Sequence, residues 1–221
     1  MNDLIKQIRT DLRLSMSGAV SASMRSKGVN YRMNFGVSTP RIKQISEKYS
    51  KDKLLAETLW KEDVRELKIL ATILYPWEQY TKENANKWIL DNYDQEMREQ
   101  LCKNLFQNLS FADELVEEWA SNETEYIRAT AYWLFARLCI IKSDVVDKIK
   151  SQKVIGHTIN DLRAESLLLR QSALNALKFY GRLSEENASF VLQAVNSFEE
   201  SRNAVEVEMF NLLKFEFGYD N

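Results

Sequence analysis

Apolar residues return along this chain at intervals of three and four. In the first segment Leu4, Ile5, Ile8 and Leu12 fall on one stripe of a helix, the spacing of an amphipathic element with one buried face. The same period governs most of the remaining length. Only two prolines and six glycines interrupt the 221 residues. Breakers that scarce are too few for the turns of a sheet-rich fold. The pattern predicts helices joined by short polar loops. Residues 15–28 are rich in Ser, Met and Ala with a glycine towards each end, and fit either a helix or a mobile segment. In Asn34-Phe35-Gly36-Val37-Ser38-Thr39-Pro40, Gly36 permits a tight turn. Thr39 and Pro40 there read as the N-cap and first residue of a helix running to about residue 49.

Beyond that point the chain repeats itself. Residues 59–74, 119–134 and 162–177 each pass through a polar, acidic turn to a basic residue. A small residue follows three positions on: Lys68 with Ala71, Arg128 with Ala131, Arg170 with Ala173. A weaker copy around Arg98 falls inside the larger gap, and residues 196–217 read as a degenerate last copy. Two helices per period of roughly 30 to 45 residues are the signature of HEAT-type arrays. One helix pair cannot bury its apolar face alone, whereas stacked neighbours bury it together. The fold class predicted is all-α, a curved α-solenoid of HEAT-like helical repeats, as one domain over residues 1–221. Residues 1–53 would form basic N-terminal helices and residues 54–221 stacked helix pairs. Trp60, Trp88, Trp119 and Trp133 read as plugs of the apolar layer between repeats, with Trp60 and Trp119 closing the first helix of a pair.

Charge changes this picture in one respect. The net formal charge is −2, which alone disfavours a polyanionic partner. The distribution does not: residues 1–53 hold eleven Lys and Arg against four Asp and Glu, and the remainder holds 19 against 28. That asymmetry marks a candidate binding surface at the basic end, where Arg25, Lys27, Arg32, Arg41 and Lys43 are the candidate contacts. Arg128 and Arg170 join them as repeat basics, unless each is instead held in an ion pair with an acidic residue of a neighbouring turn. Cys102 and Cys139 sit in apolar helical patterns and read as buried thiols of a reducing cytoplasm. One histidine, His157, and two isolated cysteines cannot assemble a zinc site. Neither metal nor other cofactor is expected. No apolar run is long enough to span a bilayer, no targeting segment is visible, and a cytoplasmic monomer is the expectation.

The stretch Phe35-Gly36-Val37-Ser38-Thr39-Pro40-Arg41-Ile42-Lys43 resembles the entry motif of DNA alkylation repair proteins of the AlkD type. The Leu59-Trp60 … Arg65-Glu66 … Ala71 pattern and the Trp119 … Tyr126-Ile127-Arg128 … Ala131 pattern resemble two of their repeats. The resemblance covers roughly residues 3–181. It implies a stack of helical repeats with double-stranded DNA, damaged or branched, against a basic face. Active members remove N3- and N7-alkylated purines. A carboxylate there stabilises the positive charge that grows on the deoxyribose, aromatic side chains contact sugar and backbone, and an arginine holds a phosphate. The phosphate-binding arginine falls on Arg128. The aromatic segment with its acid falls on residues 92–98, where Tyr93 is the aromatic and Asp94 the candidate catalytic carboxylate. The chain departs from the pattern here: alignment places Met97 or Arg98 where the acid belongs, with Asp94 or Glu96 as neighbouring substitutes, and a second family tryptophan falls near Ala176. Three readings are compatible with these residues. They are a DNA-binding repair protein resembling alkylpurine DNA glycosylases, a relative that binds damaged or branched DNA without excising a base, and a HEAT-type protein–protein scaffold that has left DNA.

Overall fold

The computed structural model describes residues 1–91 and 95–218. Among these residues there are thirteen α-helices and no strand. In chain order they are α1 (Asn2–Leu14), α2 (Gly18–Ser26), α3 (Thr39–Ser46), α4 (Lys53–Trp60), α5 (Arg65–Leu74), α6 (Lys82–Leu90), α7 (Gln95–Asn104), α8 (Ala112–Ala120), α9 (Glu125–Ile140), α10 (Ser151–Asp161), α11 (Leu167–Gly181), α12 (Glu185–Ala194) and α13 (Ala204–Glu216). Short 3-10 turns at Trp77–Gln79, Phe106–Asn108, Asp144–Lys148 and Asn196–Phe198 separate several of them. The chain divides into two compact units, Met1–Leu109 and Ser110–Asn221.

Local chemistry sets the helix starts. Asp52, Thr81, Ser166, Ser184 and Asn203 each accept a hydrogen bond from a backbone N–H of the first turn they precede, which satisfies one of the four donors a helix start leaves open. Ser38, not Thr39, is the N-cap of α3, so Pro40 sits one position further into the first turn than the sequence suggested. Within residues 15–28 the chain does form a helix, α2 (Gly18–Ser26), but none of its residues is buried. It is tied down from one side, where Ser21 Oγ donates to the Asn34 carbonyl at 2.8 Å and Ser17 N–H donates to the Phe35 carbonyl at 2.9 Å.

Gly36 makes that attachment possible. Its φ is +70°, and a Cβ there would sit 2.3 Å from the Ser17 carbonyl oxygen and 2.6 Å from the Ser21 nitrogen. No side chain fits between two backbones that close.

The repeat is legible in the packing. Helices α4/α5, α8/α9, α10/α11 and α12/α13 pack as consecutive pairs, and the second members touch one another: α5 with α7 in the first unit, α9 with α11 and α11 with α13 in the second. Small residues line these meetings: Ala71, Ala131 and Ala173 are fully buried. Lys68, Arg128 and Arg170 are each the fourth residue of their helices, and Arg98 is the fourth described residue of α7. Arg98 therefore splits the gap of 60 into two of 30, ahead of one of 42. Contacts between neighbouring repeats recur at a separation of 31–33 residues: Phe35 with Glu66, Trp60 with Asp91, Arg65 with Glu96, Thr72 with Asn104, and Arg128 with Asp161.

Trp60 ends α4 and Trp119 nearly ends α8, both buried in the apolar layer, and Trp88 is buried in α6. Trp133 departs from the expectation. It lies in the second helix of its pair, is half-buried, and its indole N–H finds no partner among the described residues. Both cysteines are buried. Burial pushes the Cys139 thiol up to about 12.

The charges at the core of the first unit are a linked set. Glu66, fully buried, accepts from the backbone N–H groups of Phe35 (3.0 Å) and Val37 (3.2 Å). Arg65, 1 % exposed, donates to Glu66 and to the Val37 carbonyl at 2.9 Å each. It then reaches both oxygens of Glu96, with Nε at 2.7 Å. Removing one partner of such a set strands the others in the interior, which costs about 3–5 kcal/mol. Arg65→Ala is therefore expected to lower unfolding free energy by about 3–5 kcal/mol in urea titration. A loss below about 1 kcal/mol would show that water replaces the guanidinium.

Candidate nucleic-acid interface

The candidate contacts divide between the two units. Arg25 lies in the last turn of the exposed helix α2, Lys27 and Arg32 in the loop after it, and Arg41 and Lys43 on α3. All five side chains are exposed. Among the described residues none of the five forms an ion pair with a carboxylate; Arg41 donates to Ser15 Oγ at 3.0 Å and to Gln44 Oε1 at 3.1 Å. Half of the twelve basic residues of the second unit are treated otherwise. Arg128, Lys150, Arg163, Lys178, Arg182 and Lys214 each sit against a carboxylate.

Arg128 shows how far this goes. Nε and Nη2 donate to the two oxygens of Asp161 at 2.7 and 3.1 Å, while Nη1 donates to the carbonyls of Asn122 and Glu123 at 2.9 Å each. Its hydrogen bond to Asp161 holds the guanidinium pKa above its ordinary value. Four of its five N–H groups are used, which leaves one on Nη2 for an external acceptor. Tyr132 donates to the same carboxylate at 2.6 Å. Arg170 repeats half of this arrangement. Its Nη1 donates to the Ala164 carbonyl, six residues back, as Arg128 does to Asn122. No carboxylate pairs with it among the described residues, so most of its fork stays available.

Two adjoining clefts lie in the first unit. One, of about 630 Å³, is lined by the 27–31 loop, Lys61, Asp63, Lys68, Asp91 and Gln95. The other, of about 470 Å³, shares Lys61, Lys68 and Asp91 and adds Trp60, Trp88 and Lys87 among its walls. Trp60 and Trp88 stack face to face, ring centroids 4.0 Å apart and planes within 1°. Tyr75 and Tyr80 meet the edge of Trp88, the offset geometry aromatic quadrupoles favour. Trp60 donates its indole N–H to Asp91 at 3.0 Å. Asp63 accepts from the Arg32 backbone N–H at 2.9 Å. Sequence reasoning did not single out Asp63, Asp91 or Lys61. The available signal was the 31-residue interval from Trp60 to Asp91, equal to the repeat.

Tyr93 and Asp94, the aromatic and the candidate acid, lie outside the described residues. Their neighbours are informative. Met97 is fully buried and Arg98 is 2 % exposed, so neither offers a solvent-facing group at the position where an acid was sought. Glu96 is committed to Arg65. Ala176, where a second tryptophan was sought, is fully buried in α11 and leaves no room for an indole. Among the described residues no group of three or more metal-ligating side chains comes together, and no helix is long and apolar enough to cross a membrane.

The chain matches the family of DNA alkylation repair enzymes over residues 8–199, and it belongs to that family. No match is found among the curated proteins. A solved structure, presented as a new family of proteins related to the HEAT-like repeat DNA glycosylases with affinity for branched DNA structures, superimposes with a TM-score of 0.76 at 14 % identity. The match covers 96 % of this chain and 94 % of that one. A designed armadillo repeat protein matches with a TM-score of 0.47 at 13 % identity, over 81 % and 87 % of the two chains. The fold is that of the HEAT-like helical repeat.

Arg128 carries structural weight whatever else it binds. Arg128→Ala is expected to cost about 1.5–3 kcal/mol of stability, the range for hydrogen bonds to charged groups. A double-mutant cycle with Asp161→Asn should show coupling of at least about 1 kcal/mol. Additive losses would mean the pair contributes nothing jointly.

Proposed function

We propose that this chain is a DNA-binding member of the alkylation repair family that engages duplex DNA through its N-terminal unit. The observation that supports it is the treatment of charge. Six of the twelve cations of the second unit sit against its own carboxylates, whereas Arg25, Lys27, Arg32, Arg41 and Lys43 all stand exposed without carboxylate partners among the described residues. Unneutralised cations on a protein of net charge −2 need a polyanion more than they need each other. A phosphate backbone supplies it, and release of its condensed counterions drives binding. Arg170 and the last Nη2 hydrogen of Arg128 are the further contacts in the second unit. Tyr93 is assigned to the sugar or backbone by family resemblance.

Branched DNA is the preferred substrate in this reading, since the similar solved structure carries that affinity. Excision of alkylated purines is not its principal activity. Buried Met97 and Arg98 replace the acid that would stabilise the growing sugar cation, and loss of one such electrostatic partner costs about 10²–10³ in rate. Asp94 is the remaining carboxylate of that segment and the catalytic candidate if excision occurs.

Fluorescence anisotropy with a labelled duplex and a four-way junction, across a salt series, tests the reading. The junction is expected to bind more tightly. The slope of log K against log salt should fall in magnitude by about 0.9 for each phosphate contact removed, so Lys27→Ala with Arg32→Ala should lower it by about 1.8. Salt-independent affinity, or none for either DNA, would sink the reading and favour a protein scaffold. Release of 7-methylguanine from methylated DNA should run at least about 10²-fold slower than in a family member that has the acid. Fast release abolished by Asp94→Asn would overturn that part.

A further inference from the structure

Lys68 breaks the pattern set by its repeat equivalents. Arg128 and Arg170, at the same helical position, fold back onto carbonyls of the preceding turn. Lysine lacks the fork that reaches them. Lys68 is 9 % exposed, and among the described residues its amine forms neither a hydrogen bond nor an ion pair. It lies 4.4 Å above the centroid of the Trp60 ring and lines both clefts of the first unit. Burial draws its pKa below the ordinary lysine value, an effect that the nearby Asp91 and Asp63 oppose without cancelling. An ammonium held over an indole face with no hydrogen bond or ion pair of its own is costly to bury, and a fold that wanted only packing here would place an apolar side chain. A desolvated amine between an indole and two carboxylates, opening on a cleft, is instead the environment in which a lysine becomes a nucleophile towards carbonyl carbon.

We propose that Lys68 captures the aldehyde of an abasic site in DNA, making the first unit an abasic-site lyase. The inference rests on the DNA reading above, and Lys27, which belongs both to the exposed basic set and to the 630 Å³ cleft, connects the two. A nucleotide that has lost its base opens to a free aldehyde at C1′. The Lys68 amine adds to that carbon, and the carbinolamine loses water to give a protonated imine. The imine acidifies the C2′ hydrogen, which passes to a carboxylate of the cleft, Asp91 or Asp63. The electron pair left at C2′ forms the C2′–C3′ double bond as the C3′–O bond breaks. The phosphate leaves with the downstream strand, and water hydrolyses the imine to free the amine. Lys61 and Lys27 are placed on the cleft wall to meet the flanking phosphates. No oxidant, reductant or metal enters these steps.

Borohydride trapping tests the assignment, because reduction of the imine joins protein to DNA permanently. The full chain is incubated with a duplex carrying one abasic site, reduced, resolved on a denaturing gel, and the adduct mapped by mass spectrometry. Binding to the same duplex is measured in parallel without reductant. The expected result is an adduct on Lys68, reduced at least about tenfold per bound duplex in both Lys68→Met and Lys68→Arg, and retained in Lys148→Met, a surface control in the second unit. Methionine keeps the apolar stem and arginine keeps the charge, so far-ultraviolet circular dichroism matching the parent in either variant excludes misfolding as the cause. Duplex binding with no Lys68-dependent adduct, or adducts scattered over surface lysines, overturns the proposal and leaves the DNA reading standing. No binding to any duplex removes both.

Discussion

The buried salt bridges of Arg65 with Glu66 and Glu96 hold three parts of the first unit at once. Glu66 takes the two backbone N–H groups of the loop at Phe35 and Val37, Arg65 takes a carbonyl of the same loop, and Glu96 ties the next repeat to both. Backbone donors this deep must be paired with something, and no regular ladder is available to a loop. A carboxylate can accept both, but only with its charge compensated, and Arg65 compensates it while satisfying its own donors elsewhere. The loop, α2, α3, α5 and α7 all take their positions from this set, and with them the walls of the two clefts.

That dependence explains why the family-like motif Phe35-Gly36-Val37-Ser38-Thr39-Pro40 is constrained by the fold itself. Gly36 lets two backbones approach, Phe35 and Val37 turn their N–H groups to Glu66, and Ser38 with Pro40 start α3. The basic residues flanking the motif are then displayed from a rigid frame. Rigidity matters for a polyanion contact, since ordering flexible lysine and arginine side chains offsets much of what they gain.

Most of the fold was legible from the spacing of apolar residues and the scarcity of breakers, both of which are local properties. The equivalence of Lys68, Arg128 and Arg170 was legible too, because a repeat imposes the same chemistry at the same helical position. The partners of those residues were not. Arg128 finds Asp161 at a distance of 33 residues and Arg65 finds Glu96 at 31, and many acidic residues compete at such separations until packing selects one. Trp133 misled for a related reason: an indole in an apolar run reads as core, yet its place on the second helix of a pair leaves it half-buried. The clefts were invisible in sequence, since Lys27, Lys61, Asp63, Lys68 and Asp91 meet only once loop and helices are assembled. Departures at Met97 and Ala176 were visible, and their burial gives the physical meaning: those positions have been absorbed into the core.

The parallel indoles of Trp60 and Trp88 have one more consequence. Two chromophores lying flat against each other at 4.0 Å couple their electronic excitations, so their absorption depends on how the rings lie relative to one another. One of the pair also touches Lys68 and Asp91. The molecule thus carries a built-in optical reporter at the cleft, whose near-ultraviolet dichroism will register any group that slips between the rings or shifts the amine above them.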